Sequence, residues 1–153
     1  MKTIGLIGGM SPESTVFYYK PLNRLMKDHY GGHASAKILL HSVNFAETHA
    51  KQVAGEWDDL GVQLAEAATG LERAGADLIA LATNTMHKCA PAIETAIELP
   101  FVHIGDATAE ALVRDGRKRP ALLGTRFTME EAFYRERLET HGLTPVIPDQ
   151  DAR

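Results

Sequence analysis

Short apolar runs alternate with longer segments of helical period along nearly the whole chain, and this alternation restricts the folds open to it. "TIGLIG" is followed by a helical pattern from Ser14 to Tyr30, "KILLHSV" by one from Trp57 to Ala74, and "DLIALAT" by one from Cys89 to Ile97. The pattern predicts βαβ units: an α/β fold with a parallel sheet flanked by helices. It begins again with "FVHIG", a helix from Ala107 to Arg114, "PALLGT", a helix from Met129 to His141, and "TPVIP". Pro100 marks the boundary, so residues 1–99 are expected to form a first α/β domain and residues 100–153 part of a second, similar one. "PDQDAR" follows the last apparent strand directly, and that second run has few elements for a core, so C-terminal truncation is expected.

Near-continuous apolar strands belong to sheets covered on both faces, and such sheets bind ligands beyond the carboxyl ends of their strands. The loops to inspect are therefore "GGMSPEST", "NFAETHAKQ", "TNTMHK" and "GTRFTM".

Composition removes several alternatives. A formal charge of −4 with both signs interleaved offers no basic stripe, so nucleic acid is not an expected partner. "MKTIGLIGG" has neither a signal peptide's apolar segment nor a membrane span's length, which points to a cytoplasmic protein without a membrane partner. Cys89 is the sole cysteine, so no internal disulfide and no cysteine-based metal site can form within one chain.

The first loop lacks the G-x-G-x-x-G spacing, and the second strand ends in Asn44 where an acidic ribose ligand would stand, so a nicotinamide cofactor is disfavoured. Gly8 and Gly9 let the backbone approach a ligand, and Ser11 or Ser14 can cap the next helix beside free N–H groups that suit a small carboxylate. Asn44 and Gln52 add neutral hydrogen-bonding groups, although asparagine also serves turns and Gln52 can simply face water.

Thr83, Asn84 and Thr85 are three consecutive hydrogen-bonding side chains after an apolar strand, and a helix cap needs only one of them. That surplus points to ligand binding. His87 suits acid or base work and Lys88 an anion, against an equally good account as a helix-start pair partly in solvent. Cys89 reads better as a small buried apolar residue than as a nucleophile. Thr125, Arg126 and Thr128 repeat the strand-to-helix theme, with a cap and a surface charge as the alternative account.

"IGLIGGMSPEST", "HSVNF", "LATNTMHK" and "LLGTRFTMEEAFYRERL", in that order, resemble the cofactor-independent aspartate/glutamate racemases, including the broad-specificity amino-acid racemases. The resemblance implies two similar α/β domains with the site in the cleft between them, usually in a homodimer, and a small-molecule amino-acid substrate. It implies two bases, one removing the α-proton from one face and another returning a proton to the opposite face. It also implies substrate contacts at Met10, Gln52, Thr83, Asn84 and Thr85, with Thr125 and Thr128 as further positions.

In that family the residue before Asn-Thr is usually cysteine, with a second cysteine in a loop of the second domain. Thr83 takes the first position here, and no second cysteine precedes Arg153. A hydroxyl is far less acidic than a thiol, so Thr83 needs a partner to move a proton. Two rivals stand beside the racemase: a decarboxylase or isomerase of the same superfamily, and a non-catalytic dicarboxylate-binding protein.

Overall fold

A computed structural model describes residues 1–149. Backbone contacts divide the chain into two compact units, one made of Met1–Thr83 and Cys89–Phe101, the other of Asn84–Lys88 and Val102 onward.

The first unit holds strand β1 (Thr3–Gly8), helix α1 (Pro12–Tyr30), β2 (Lys37–Ser42), α2 (Phe45–Ala54), α3 (Trp57–Arg73), β3 (Leu78–Leu81) and α4 (Ala90–Ala96). With the two-residue β4 (Phe101–Val102), the sheet order is β2-β1-β3-β4. β1 is paired in parallel with both neighbours, Leu6 lying opposite Leu40 on one side and Ala80 on the other. The ladder continues past β3, where Ala82 N donates to Ile7 O at 2.8 Å.

Burial follows position in the sheet. Leu6, Ile7, Ile79 and Leu81 on the inner strands are almost fully buried, as are Leu60, Leu64, Ala67 and Ala68 of α3 and Ile93 of α4. The edge strand β2 is different: Leu40 is half exposed despite its apolar run. α3 begins with Asp58 and Asp59 and ends at Arg73, which suits the helix dipole at both ends.

Two first-unit elements differ from the sequence reading. α1 starts at Pro12, two residues before Ser14, because proline suits a first helical turn whose N–H groups lack internal partners. The segment "NFAETHAKQ", expected as a loop, is largely α2. Asn44 Oδ1 accepts from Ala46 N at 3.0 Å while its Nδ2 donates to Glu47 Oε1 at 2.8 Å, so one side chain starts the helix.

The second unit has α5 (Ile104–Arg114), α6 (Arg126–Glu130) and α7 (Ala132–Glu139), with a 3₁₀ turn (Thr85–Cys89) whose first four residues belong to it. Its core gathers Ala109, Leu122, Tyr134, Leu138 and Leu143. The strands expected at "PALLGT" and "TPVIP" reduce to one parallel bridge, Ala121 with Val146. α5 begins at Ile104, three residues before the expected Ala107, because His103 turns out of the strand and caps it. The helix expected from Met129 to His141 is broken at Glu131, whose extended backbone (φ −84°, ψ 153°) separates α6 from α7. Of the expected second domain, residues 150–153 lie outside the described residues.

Candidate functional site

Because β1, β2 and β3 run parallel, the segments that leave them emerge at one end of the sheet, and these carry Met10, Ser11, Asn44 and Thr83. After β1 the chain must turn within two residues. Gly9 has φ +90°, and a side chain there would collide with the Val43 carbonyl; at Gly8 a Cβ would stand 2.6 Å from Thr15 Oγ1.

Thr15 Oγ1 accepts from Gly9 N at 2.8 Å and donates to Ser11 O at 3.2 Å, which ties both ends of the turn to α1. Ser14 Oγ also donates to Ser11 O, at 2.8 Å, and lies 3.2 Å from Ala82 O at the end of β3. Ser11 occupies the N-cap position of α1 without a side-chain cap bond. Its hydroxyl instead bonds to Glu13, which holds that carboxyl below the usual range. Met10 is buried, Ser11 and Thr83 are half-buried, and Gln52 is half-buried in the last turn of α2.

Asn84, directly after Thr83, opens the 3₁₀ turn: its carbonyl accepts from His87 N at 3.1 Å while its side chain is exposed. Thr85 is buried, with its hydroxyl 3.1 Å from that of Thr125. Thr125 Oγ1 in turn accepts from Thr128 N at 3.4 Å, capping α6, and lies 3.2 Å from Thr128 Oγ1. Thr85, Thr125 and Thr128 thus form a continuous row of hydroxyls within the second unit. Thr128 is only 3% exposed, so its hydroxyl serves the row. Arg126 is exposed, beside the ring of Phe127.

His87 is 2% exposed, which corrects its reading as partly in solvent. Its Nε2 accepts from Ile104 N at 3.2 Å. Lys88 pairs with Glu131 at 2.7 Å. Cys89 is buried in the first unit, its thiol 3.7 Å from Trp57 O.

Sequence reasoning did not find the polar cluster at the start of α5. His103 Nδ1 accepts from Gly105 N at 3.0 Å, and its ring meets that of His87 edge-on with centroids 4.5 Å apart. Burial, with Arg137 nearby, lowers the His103 pKa to about 4 against the opposing pull of Asp106. Asp106 accepts from Arg137 Nε and Nη2 at 2.6 and 2.5 Å and contacts His141 Nε2 at 2.9 Å; the Arg137 bonds lead in lowering its pKa to about 2. An available signal was His103 followed three residues later by Asp106, the spacing of a capping pair.

Among the described residues, no group of three or more His, Cys, Asp or Glu side chains could hold a metal ion. No helix among them is long and apolar enough to cross a membrane.

The fold is of the parallel α/β class, in which the segments beyond the strand ends are the usual place for ligands. Within that class the family model described as Asp/Glu/Hydantoin racemase matches residues 7–153, and the chain belongs to that family. It is 26% identical over 149 residues to the broad-specificity amino-acid racemase RacX of Bacillus subtilis, covering 95% of this chain and 64% of that one. A crystal structure from Yersinia pestis, described provisionally as an Asp/Glu racemase, is 49% identical with a TM-score of 0.95, covering 99% of this chain and 66% of that one. An aspartate racemase homologue from Pyrococcus horikoshii is 38% identical with a TM-score of 0.88, at the same two coverages. The chain therefore spans 64–66% of the length of these relatives.

Proposed function

We propose that this chain carries part of the site of a cofactor-independent amino-acid racemase acting on aspartate, glutamate or a similar amino acid. The observation that carries the reading is the placement of Thr83-Asn84-Thr85 immediately beyond a parallel strand, in a chain of the racemase family. The exposed Asn84 amide binds the substrate carboxylate, and the hydroxyl row that starts at the buried Thr85 keeps its backbone in place. Asn44 and Thr128 serve as scaffold, since the first is engaged at both ends in starting α2 and the second is buried in the hydroxyl row.

Thr83 is the proton-transferring position on one face of the α-carbon. The C–H bond breaks, the proton passes to a base, and a proton returns to the opposite face. The buried Cys89 is not the second base; that base belongs to sequence that the relatives have and this chain does not span. We further propose the division into residues 1–99 and 100–153, a homodimer, and a cytoplasmic location. The dimer and the location rest on the family resemblance.

The test is α-proton exchange of aspartate and glutamate enantiomers in deuterated water, followed by proton NMR. The 153-residue chain alone should not racemise. With the segment that bears the second base restored, exchange should be faster from one enantiomer, because a hydroxyl and a stronger base on opposite faces are unequal, and Thr83→Ala should stop it. If all four amino acids neither exchange nor perturb the backbone signals of Asn84 and Thr85, the reading fails. Binding without exchange in any context would favour the non-catalytic dicarboxylate binder, which the replacement of a thiol by the Thr83 hydroxyl also suits.

A further inference from the structure

Two buried histidines meet at the first turn of α5, and each gives a ring nitrogen to a different N–H of that turn. His103 accepts from Gly105 N and His87 from Ile104 N. A nitrogen that accepts carries no proton, so the arrangement requires neutral rings, with the proton of His87 on Nδ1 and that of His103 on Nε2.

A helix start leaves several N–H groups without internal partners, and His103, adjacent to α5 in sequence, takes one of them. His87 comes from seventeen residues upstream, on the 3₁₀ turn that begins with Asn84 and Thr85. Its backbone N–H donates to the Asn84 carbonyl at 3.1 Å while its ring holds Ile104 N, so one residue connects the start of that turn to the start of α5.

Other contacts that hold the same turn within this unit include Thr85 with Thr125 and Lys88 with Glu131. The ion pair is 29% and 31% exposed at its two side chains, where water competes with it. The His87 bond is made by a ring that water hardly reaches, and a lost acceptor there leaves the N–H of the half-buried Ile104 without it.

We infer that His87 is a positioning residue, fixing the Asn84–Thr85 turn to the first turn of α5 and so setting where the Asn84 side chain stands. The racemase reading supplies only what Asn84 is for; the positioning does not depend on it.

The test compares His87→Leu, which removes the acceptor, with His87→Gln, whose carbonyl oxygen can reach the place of Nε2. The expected results are a ¹⁵N spectrum of the wild-type ring with the proton on Nδ1, and His87→Leu amide shifts at Asn84, Thr85 and Ile104. Affinity for L-aspartate should fall roughly ten-fold in His87→Leu and return to within about three-fold of wild type in His87→Gln. A proton on Nε2 in the wild-type ring overturns the inference. So does a folded His87→Leu with unmoved Asn84 and Thr85 signals. If His87→Leu does not fold, the tautomer and the Asn84 and Thr85 signals of His87→Gln decide. If the wild-type chain binds neither aspartate nor glutamate, the substrate reading fails, and the amide shifts with the tautomer still decide the positioning.

Discussion

The hydroxyl oxygens of Thr85 and Thr125 lie 3.1 Å apart although forty residues separate them, so the turn after β3 is anchored to the start of α6. Thr125 also caps that five-residue helix by accepting from Thr128 N. Thr125→Val should lose both contacts and cost about 1–2 kcal/mol in urea unfolding, whereas Thr125→Ser, which keeps the oxygen, should cost far less. Amide shifts in Thr125→Val should reach Thr85. A change confined to α6 would mean that the 3.1 Å contact has no mechanical consequence.

Acid should weaken the second unit in two stages. The unfolded chain protonates His103 near its ordinary 6.5, while in the folded chain burial and Arg137 hold the pKa at about 4. Stability from this neutral ring is complete above pH 6.5 and falls as pH drops toward 4. Asp106, lowered from 3.8 to about 2 chiefly by its Arg137 bonds, contributes fully above pH 4 and loses that contribution between 4 and 2. With solvent screening of this part-exposed cluster, each stage shrinks from the full value of its shift to on the order of 1–2 kcal/mol. Urea melts at stepped pH should show both. His103→Asn, which keeps an oxygen acceptor for Gly105 N, should flatten the upper stage alone; an unchanged upper stage would remove His103 as its source.

Asp106→Asn tests the same cluster without changing pH. Arg137 and Asp106 are about one-third exposed, so water screens part of the pairing, and the loss should be about 1–3 kcal/mol in denaturant melts at neutral pH. A variant as stable as wild type at pH 7 would show that the bidentate contact is energetically idle.

Gly9 and Gly70 should respond to alanine in opposite directions. At Gly9 the backbone is left-handed, and a methyl would press on Ser42 Oγ at 2.7 Å and on the Val43 carbonyl. Gly9→Ala should cost about 1–3 kcal/mol. Gly70 lies within α3 with open space where its Cβ would be, so Gly70→Ala should stabilise by about 0.5–1 kcal/mol. Paired thermal melts check both signs, and a tolerant Gly9 would mean that the turn after β1 can relax.

What could be read in advance follows from the range of each interaction. β1, α3 and β3 announced themselves because their apolar period is local and matches the residues they bury. α2 was missed although Asn44 and Glu47 stand at capping spacing, because it is only ten residues long, follows a strand almost directly and buries only Thr48. "FVHIG" looked like one strand because His103 was counted as a strand residue, while its ring in fact starts α5. At the site, the surplus of donors in Thr83-Asn84-Thr85 and the Thr125–Thr128 cap were visible as local patterns. The Thr85–Thr125 contact and the His87–Ile104 bond were not, since each depends on where distant segments come to rest.

The division of labour between Thr83 and Asn84 gives the last expected outcome. If Asn84 holds a carboxylate and Thr83 only moves a proton, their alanine variants should separate binding from exchange. A hydrogen bond to a charged group contributes about 1.5–3 kcal/mol, so Asn84→Ala should weaken aspartate binding by roughly ten- to hundred-fold in a calorimetric or NMR titration. Thr83→Ala should leave the affinity within about three-fold, because the Asn84 donors and the Thr85–Thr125 anchor stay in place. The same variant should abolish α-proton exchange. Thr83→Cys should bind comparably and exchange faster, since a thiol reaches its anionic form far more readily than a hydroxyl. If Thr83→Ala instead loses binding as severely as Asn84→Ala, Thr83 is a ligand-holding hydroxyl, and the proton-transferring position must be sought elsewhere.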